Sequence, residues 1–565
     1  MSLISSIQMA GNALQANDIG LQVTGQNIAN ANTPGYIREQ LELTESPPQQ
    51  MGSVMLGTGV QVQAVVAKVD NFLQERLQSA TSDQASADSL QGTYSQLEQV
   101  VGALNDSNLS TSIDNFFSSV NDVLNQPGDI SVLNQAVLQG QSLTQAINQM
   151  ASQAEQVRSD VNTDVSNMAG SINALTSQIG ALNLQIEQAT GGSGSTSSAI
   201  GLQDQRLQAL QSLSQLVGIN TIDQPNGSVS VYVGGEYLVD DGNVRTVTRS
   251  LRSDGGQTVC DLRVQGTNAL LSPSSGELQG LLSARDSVIP AFLDNLNSFS
   301  AALVSSFNQI YSSGQGLSGY STVTSESAVD KPNQALNATG LTFSPTSGSF
   351  QVLVQDTTTG TTQTNNINID LSGLHQNTTL ADLAAQLNAV SGIQATIGSD
   401  NRLTITSTSP DQQFSFANDT SGVLASLGIN TFFTGSTAAG IGINATVQQD
   451  PGTFAVSQGG IANDTDNAVQ LAQLASQPLA SQNGNSLTVL YENMVNDVTQ
   501  GSAQAQSTAT AADTYQQTLS NQQLAVSGVS IDDETIQMLS YQQAYEATAK
   551  YISTLDDLFK TLVQL

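Results

Sequence analysis

Residues 531–565 carry the pattern that most restricts what this chain can become. Side chains that are apolar or nearly so fall at Ile531, Met538, Tyr541, Tyr545, Thr548, Ile552, Leu555, Phe559 and Leu562. The steps between them alternate between three and four, which is the heptad seam of a coiled coil. One slot fails, because Glu534 stands where the seam expects an apolar residue. That slot lies in the first turn, where Ser530 and Asp533 have capping-box spacing and three acids sit at the positive end of the helix dipole. Lys550 and Lys560 lie toward the other end. The spacing predicts one helix of about nine turns.

A seam requires a partner, and the opposite end of the chain offers one. Ile7, Leu14, Leu21 and Ile28 repeat at sevens, with Leu3, Ala10, Asn17 and Thr24 as weaker companions. Gly11, Gly20 and Gly25 each cost roughly 1 kcal/mol of helix propensity relative to Ala, so this helix should not persist alone. Asp18 is the only charged side chain between Met1 and Tyr36, in a chain whose net charge is −33. A surface without charge suits packing against copies of itself; the plainer reading is a terminal helix docked on a globular core. Burying some ten seam side chains contributes roughly 15–30 kcal/mol. Ordering about 70 residues costs about 1–2 kcal/mol apiece. A bare two-helix hairpin is therefore marginal. Both ends are expected to be largely disordered in the free monomer and helical once neighbouring subunits cover them.

Composition bounds the partners. A length of 565 residues corresponds to about four domains. With 47 acidic against 14 basic residues, neither nucleic acid nor an anionic membrane surface is an expected partner. Cys260 stands alone, so no intramolecular disulfide can form, and it reads as a small buried residue. The N-terminus lacks the basic and apolar regions of a cleaved signal peptide. No run of 18 apolar residues is present, so membrane insertion is not expected. The Lys-poor, Cys-poor, amide- and hydroxyl-rich composition nevertheless fits an extracellular protein. Together these features point to export by a dedicated machine that reads an uncleaved N-terminus.

The interior alternates helix and strand. Residues 40–68 read as irregular or extended, and helical periodicity covers 69–104 with breaks at Arg76 and Asp83. A shorter helix spans 113–124. The longest pattern, 143–186, steps by three or four at close to 3.6 on average, which predicts one nearly straight rod-like helix. A Gly/Ser loop at 191–198 ends it, and 203–216 returns as helix. From 219 to 272 the period is two, with turn signals at Asn226-Gly227 and Asp241-Gly242. Helix resumes over 277–310, interrupted at a heptad slot by Arg285, which is expected to snorkel or pair locally. Strand-like runs follow at 350–355, 367–371, 393–397, 403–406 and 414–416. Among them a short helix at 380–387 is capped by Thr379 with Asp382. Helix dominates from 467 to 518.

The resulting expectation is a multidomain, mainly α protein. Its N- and C-terminal helices pair as a coiled coil, a long-helix bundle forms the body, and β-rich and α+β domains are inserted. The expected domains are a terminal coiled-coil domain (1–68 plus 520–565) and a helical bundle (69–218, 273–325 and 455–519). A small β domain (219–272) and a β-rich insertion (330–450) complete the set.

Two strings narrow the function. Asn27 to Tyr36 reads Asn-Ile-Ala-Asn-Ala-Asn-Thr-Pro-Gly-Tyr; Thr33 precedes Pro34 and leaves helical geometry, and Pro34-Gly35 fits the centre of a type II turn. This string resembles the signature of flagellar axial proteins, the family of rod, hook and hook-associated subunits. Tyr541-Gln-Gln-Ala-Tyr-Glu-Ala-Thr-Ala-Lys550, continuing to Phe559, resembles the matching C-terminal end of that family. In the interior, Leu202-Gln-Asp-Gln-Arg-Leu207 and Leu427-Gly-Ile-Asn-Thr-Phe-Phe-Thr-Gly-Ser436 resemble stretches of its hook-associated members. The β-rich unit between 345 and 432 resembles an insertion shared by flagellins and hook-associated proteins.

The resemblance implies a secreted structural subunit, not an enzyme, exported by the flagellar type III apparatus to the hook–filament junction. Implied partners are the hook protein, the second hook–filament junction protein, copies of the chain in a helical ring, and a cytoplasmic export chaperone on the C-terminal helix. The implied assembly residues are Ile7, Leu14, Leu21 and Ile28 with Asn27, Asn30, Thr33, Pro34, Gly35 and Tyr36. At the other end, the seam of Ile531, Met538, Tyr541, Tyr545, Ile552, Leu555, Phe559 and Leu562 serves assembly or chaperone binding. A hook or distal rod protein would share both termini, but the long 143–186 helix and Phe432-Phe433 argue against it.

Chemistry is sparse. His375 is the sole histidine, in an expected loop; Asp240-Asp241 reads as a hairpin turn and the acids at 532–534 as a helix start. No phosphate-cradling loop, zinc-ligand spacing or nucleophile elbow is present, so no catalytic residue, cofactor or metal is assigned. An appended peptidoglycan hydrolase would need a carboxylate or His cluster in a cleft, and a secreted adhesin would work through the β insertion.

Overall fold

The computed structural model describes residues 3–33, 35–51, 54–102, 109–191, 199–461 and 464–563. Helix α1 (Leu3–Asn30) leads into strands β1 (Glu39–Glu45), β2 (Gln49–Met51), β3 (Val54–Leu56) and β4 (Val60–Ala67). Helices α2 (Asn71–Gly102), α3 (Leu109–Asn125), α4 (Ile130–Thr190) and α5 (Ile200–Leu216) follow. Next come β5 (Asn220–Asp223), β6 (Val229–Val233), β7 (Glu236–Asp240), β8 (Asn243–Val244), β9 (Val247–Asp254) and β10 (Gln257–Val264). Helices α6 (Glu277–Ser283) and α7 (Ile289–Tyr311) precede the inserted α+β region. That region holds β11 (Thr322–Thr324), β12 (Gly348–Asp356), β13 (Thr362–Ile369), α8 (Leu380–Asn388), β14 (Ile393–Ile397), β15 (Leu403–Ser407), β16 (Gln412–Ala417) and α9 (Val423–Leu427). The chain closes with β17 (Phe433–Thr434), β18 (Gly442–Ile443), α10 (Ala445–Gln449), α11 (Asp466–Gln473), α12 (Leu487–Ser527) and α13 (Ile531–Val563). The mainly α architecture with inserted β regions is as the periodicities predict.

Two helices outrun their sequence expectation. α2 is unbroken at Arg76 and Asp83. The guanidinium of Arg76 leaves the core to donate to Tyr515 Oη at 2.7 Å and to lie over the Phe72 and Tyr515 rings. Asp83 is bonded by the Ser275 side chain. α4 starts at Ile130, because Leu133, Ala136 and Val137 are buried and extend the apolar face. Asp129 Oδ1 caps that start by accepting from Ser131 N–H at 2.8 Å.

The chain forms two compact units. The first comprises Met1–Thr93, Ser159–Arg285 and Ala503–Leu565. In it β1 and β4 pair as a two-stranded antiparallel sheet, β5 to β8 form a four-stranded sheet in sequence order, and β9 and β10 form a hairpin. Asparagines on α4 join helix to strands. Asn173 exchanges both amide bonds with Val247 (2.7 and 2.8 Å), and Asn183 does the same with Val229 (3.1 and 2.8 Å). Asn162 accepts from Cys260 N–H at 2.7 Å. Each carboxamide thus acts as one more peptide group on a strand edge, satisfying donors and acceptors that burial would otherwise orphan.

Arg285 is fully buried in this unit and pairs locally: it donates to Cys260 O at 2.5 Å, Asn162 Oδ1 at 3.2 Å and Asp261 Oδ1 at 3.2 Å. The helix around it widens into a π turn over Ala284–Val288, just before Pro290. Pro290 has no N–H, and its ring would press on the carbonyl four residues back; the wider turn relieves both.

The second unit comprises Tyr94–Arg158 and Asp286–Ser502. Its centre is aromatic: Phe116, Phe307, Tyr311, Phe432, Phe433 and Phe454 are fully buried, with neighbouring ring centroids such as Phe432–Phe433 only 4.8 Å apart. Asn308 holds the Phe432-Phe433 backbone, accepting from both N–H groups and donating to Phe433 O. The inserted region has its own core, built from sheets β13-β12-β16 and β11-β15-β14 with α8. The cap on α8 is as its sequence predicts, Thr379 and Asp382 bonding reciprocally.

Candidate assembly site

The two ends of the chain meet in the first unit. Asn27 of α1 meets Glu534 of α13, and one heptad back along α1 Gly20 meets Tyr541, one heptad further along α13. The residue numbers run in opposite senses, so the helices are antiparallel and advance by sevens together. Gly20 is not merely a weak point for helix formation: a Cβ there would lie 2.7 Å from the Tyr541 ring. Its absence lets the helices approach.

The face of α1 that is buried is small and polar rather than large and apolar. Ser6, Ala10, Ala16, Val23, Thr24 and Asn27 are buried. Leu14, Leu21 and Ile28 are half-buried, and Ile7 is exposed. On α13, Leu555 is buried; Met538, Tyr541, Tyr545, Thr548 and Ile552 are half-buried; Ile531 and Phe559 are exposed. The side chain of Leu562 and the whole of Pro34 lie outside the described residues. The pair still presents Ile536, Leu539, Tyr551, Leu558 and Phe559 outward, each more than 40% exposed.

Glu534, which looks like a fault in the seam, is 1% exposed and pairs with Arg38, Nε to Oε1 at 2.6 Å. Its position in the first turn of α13 is therefore only part of its explanation. Asn27 completes the cluster with its full hydrogen-bonding capacity. Its Nδ2 donates to Glu534 Oε2 (3.0 Å) and Glu39 O (2.9 Å); its Oδ1 accepts from Tyr36 Oη (2.8 Å) and Glu39 N–H (2.9 Å). Tyr36 N–H donates to Thr33 O at 3.2 Å across the turn, with Gly35 at φ +76°, as a type II turn requires. Asn30 sits half-buried one helical turn after Gln26, whose carbonyl it bonds, and exposed Thr33 donates to Asn30 Oδ1. Burial first, then Glu39, Asp204 and Glu534, push the Tyr36 hydroxyl well above its ordinary pKa, so it stays a donor.

The turn also packs on α5. A Cβ on Gly35 would lie 2.3 Å from Gln208 Nε2, and Ile37 N–H donates to the Asp204 carboxylate. Burial is the main cause that raises Asp204 to a pKa of about 6; the Ile37 bond opposes it and Glu39 adds to it. Beside it, Arg206 donates to Asn183 Oδ1 and Gly227 O, and burial lowers its pKa. The 202–207 segment therefore buttresses the N-terminal motif. Glu534, Arg38 and Asp204 are the members that sequence reasoning did not assign. The available signal was a charge in an apolar seam, in a cation-poor chain whose first Arg follows the turn.

Among the described residues no group of three or more His, Cys, Asp and Glu side chains could hold a metal, and no helix is long and apolar enough to cross a membrane. His375 faces Asp370 at 3.5 Å on an exposed loop.

Three families match this chain. The flagellar hook-associated protein FlgK helical domain covers residues 94–324, the flagellar basal body rod FlgEFG protein C-terminal region covers 520–565, and the flagella basal body rod protein covers 7–36. The chain is a flagellar axial structural protein. Along its whole length it is similar to flagellar hook-associated protein 1: that of Escherichia coli is 24% identical across 100% of both chains. The Salmonella typhimurium protein of that name is 24% identical over 99% of this chain and 100% of its own. The Bacillus subtilis one is 25% identical over 56% of this chain and 69% of its own. A solved structure, the flagellar hook junction protein FlgK from Burkholderia pseudomallei, aligns with a TM-score of 0.49 and 18% identity, covering 80% of this chain and 100% of that one.

Proposed function

We propose that this protein is the subunit that joins hook to filament, exported through the flagellar type III apparatus and assembled through its paired terminal helices. It sits between hook protein and the second junction protein, in a helical ring of its own copies. One observation carries the reading: α1 and α13, once paired, still expose a row of large apolar side chains, including Ile7, Ile536, Leu539, Leu558 and Phe559. Exposed apolar surface of that kind marks a site where other chains bind. Before export a chaperone bound to α13 would cover it; in the tube, adjacent subunits do. The polar clasp of Asn27, Arg38 and Glu534 fixes the register, so that each subunit offers the same face. The resemblance of both termini to axial proteins and the full-length similarity to hook-associated protein 1 support the junction as its place. Immunogold labelling of purified hook–filament preparations tests the reading. A single band of label where hook meets filament is expected; label along the filament, or none, overturns it.

A further inference from the structure

The first unit contains a cleft of about 620 Å³ whose walls are incomplete in a specific way. Residues 64–67 of β4 line it consecutively, and four successive residues can do so only where a strand presents its backbone edge rather than one face. β4 has β1 on one side and no other strand neighbour among the described residues. Two side chains of the cleft are at least nine-tenths buried and each has an atom without a partner: Gln74 Nε2, a donor, and Asp204 Oδ1, an acceptor. One donor and one acceptor beside an open strand edge match the groups of an extended backbone. The rim adds the carboxylates of Glu75 and Asp223, while Arg206 is already held by Asn183 and Gly227.

The complementary element lies on the same unit. Of the arginines on or next to the β9–β10 hairpin, Arg245 pairs with Glu236, Arg252 with Asp254 and Asp261, and Arg263 donates to Asn268 O, which leaves the exposed Arg249 as the one that can reach a second copy. β9 has β10 on one side; on the other, Asn173 of α4 caps the edge at Val247, and beyond it no strand pairs with β9 among the described residues. Arg249 and Leu251 are two residues apart, so both point from one face, and Leu251 is 72% exposed.

We propose that β9 of one copy docks in the cleft of a second copy, extending the open edge of β4. Leu251 enters against the apolar wall and Arg249 meets the Asp223 and Glu75 rim. The contact uses different surfaces on the two copies, so it is heterologous and propagates into a helical array rather than closing as a dimer. This rests on the axial reading only in taking a second copy as the occupant.

The test uses the full chain with Ala64→Cys in one preparation and Ser250→Cys in another, mixed at high concentration under mild oxidation. The native Cys260 is 1% exposed and stays silent. A disulfide-linked heterodimer is expected at least fivefold above a control pairing Ser250→Cys with Leu374→Cys, which lies on an exposed loop of the second unit. Adding Arg249→Glu to the β9 partner should cut the yield to that of the control, and Asp223→Arg on the cleft partner should restore it. A yield equal to the control before the charge reversal, or one indifferent to that reversal, overturns the proposal. Because the assay uses purified protein, its failure is separable from a failure to find label at the hook–filament junction.

Discussion

Replacing Glu534 asks whether a polar clasp or apolar burial holds the terminal helices in register. Glu534→Ala removes a carboxylate that is 1% exposed and strands the Arg38 guanidinium, itself 17% exposed, along with one Asn27 amide hydrogen. Breaking a buried ion pair from one side costs about 3–5 kcal/mol. The partial exposure of Arg38 lets water screen the orphaned charge and lowers the expected cost to about 2–3 kcal/mol. Replacing both partners with apolar groups, Glu534→Leu with Arg38→Met, removes the desolvation penalty too and should fall within about 1 kcal/mol of the parent. Glu534→Leu and Arg38→Met alone, each leaving the other charge unpaired, should each cost about 2–3 kcal/mol, so the expected coupling in that cycle is about 3 kcal/mol or more. Amide exchange in the full chain reads it out, because it reports local opening. The parent should show protection graded outward from the clasp, strongest around Asn27 and Glu534 and fading toward Ile7 and Phe559, where the monomer leaves its apolar face uncovered. Glu534→Ala should speed exchange about 30- to 150-fold near the clasp. Acceleration below threefold, or additive effects in the double variant, would refute the clasp. Uniform protection across residues 7–28 and 538–562 of the monomer would refute the idea that the outer turns await neighbours.

Asp204 predicts a pH dependence of defined sign. Its folded pKa of about 6 exceeds its ordinary value of 3.8, so the folded state binds more protons in that window and stability falls as pH rises through it. The full shift corresponds to about 3 kcal/mol; water at the cleft mouth reduces it to about 2. The thermal midpoint should be higher at pH 5 than at pH 8, and Asp204→Asn should raise it at pH 8 and flatten the difference. The two glycines of α1 should respond oppositely to Ala. Gly11 faces open space, so Gly11→Ala should gain about 1 kcal/mol of helix stability, whereas Gly20→Ala drives a methyl into Tyr541 and should lose about 1–2 kcal/mol in exchange protection. Leu555→Asp places a charge at a position 7% exposed and should abolish incorporation into flagella or chaperone binding; wild-type motility would contradict this.

Which parts of this architecture were legible beforehand follows from what periodicity encodes. A 3.6-residue or two-residue repeat reports that a face is buried, and so the long helices, the β6 alternation and the strands of the insertion could all be read directly. It does not report what covers the face. Ile7, Leu14, Leu21 and Ile28 form the larger apolar stripe of α1, yet the chain buries the small stripe of Ala10, Thr24 and Asn27 more deeply, with Asn27 meeting Glu534 of α13. The choice follows from helix separation: small residues and Gly20 admit the Tyr541 ring, while bulky ones would hold the helices apart. Polar pairing was illegible for a different reason. Arg38 and Glu534 lie at opposite ends of the sequence, and neither is informative until folding has placed their charges 2.6 Å apart. The asparagines of α4 behave alike, because Asn173 and Asn183 look like ordinary solvent-facing residues until a strand edge needs a peptide-like partner. The two outcomes belong together. Burying the small stripe through a polar clasp sets the register within one subunit, and it leaves the large stripe half-buried at the margin, with apolar surface still open to a further partner.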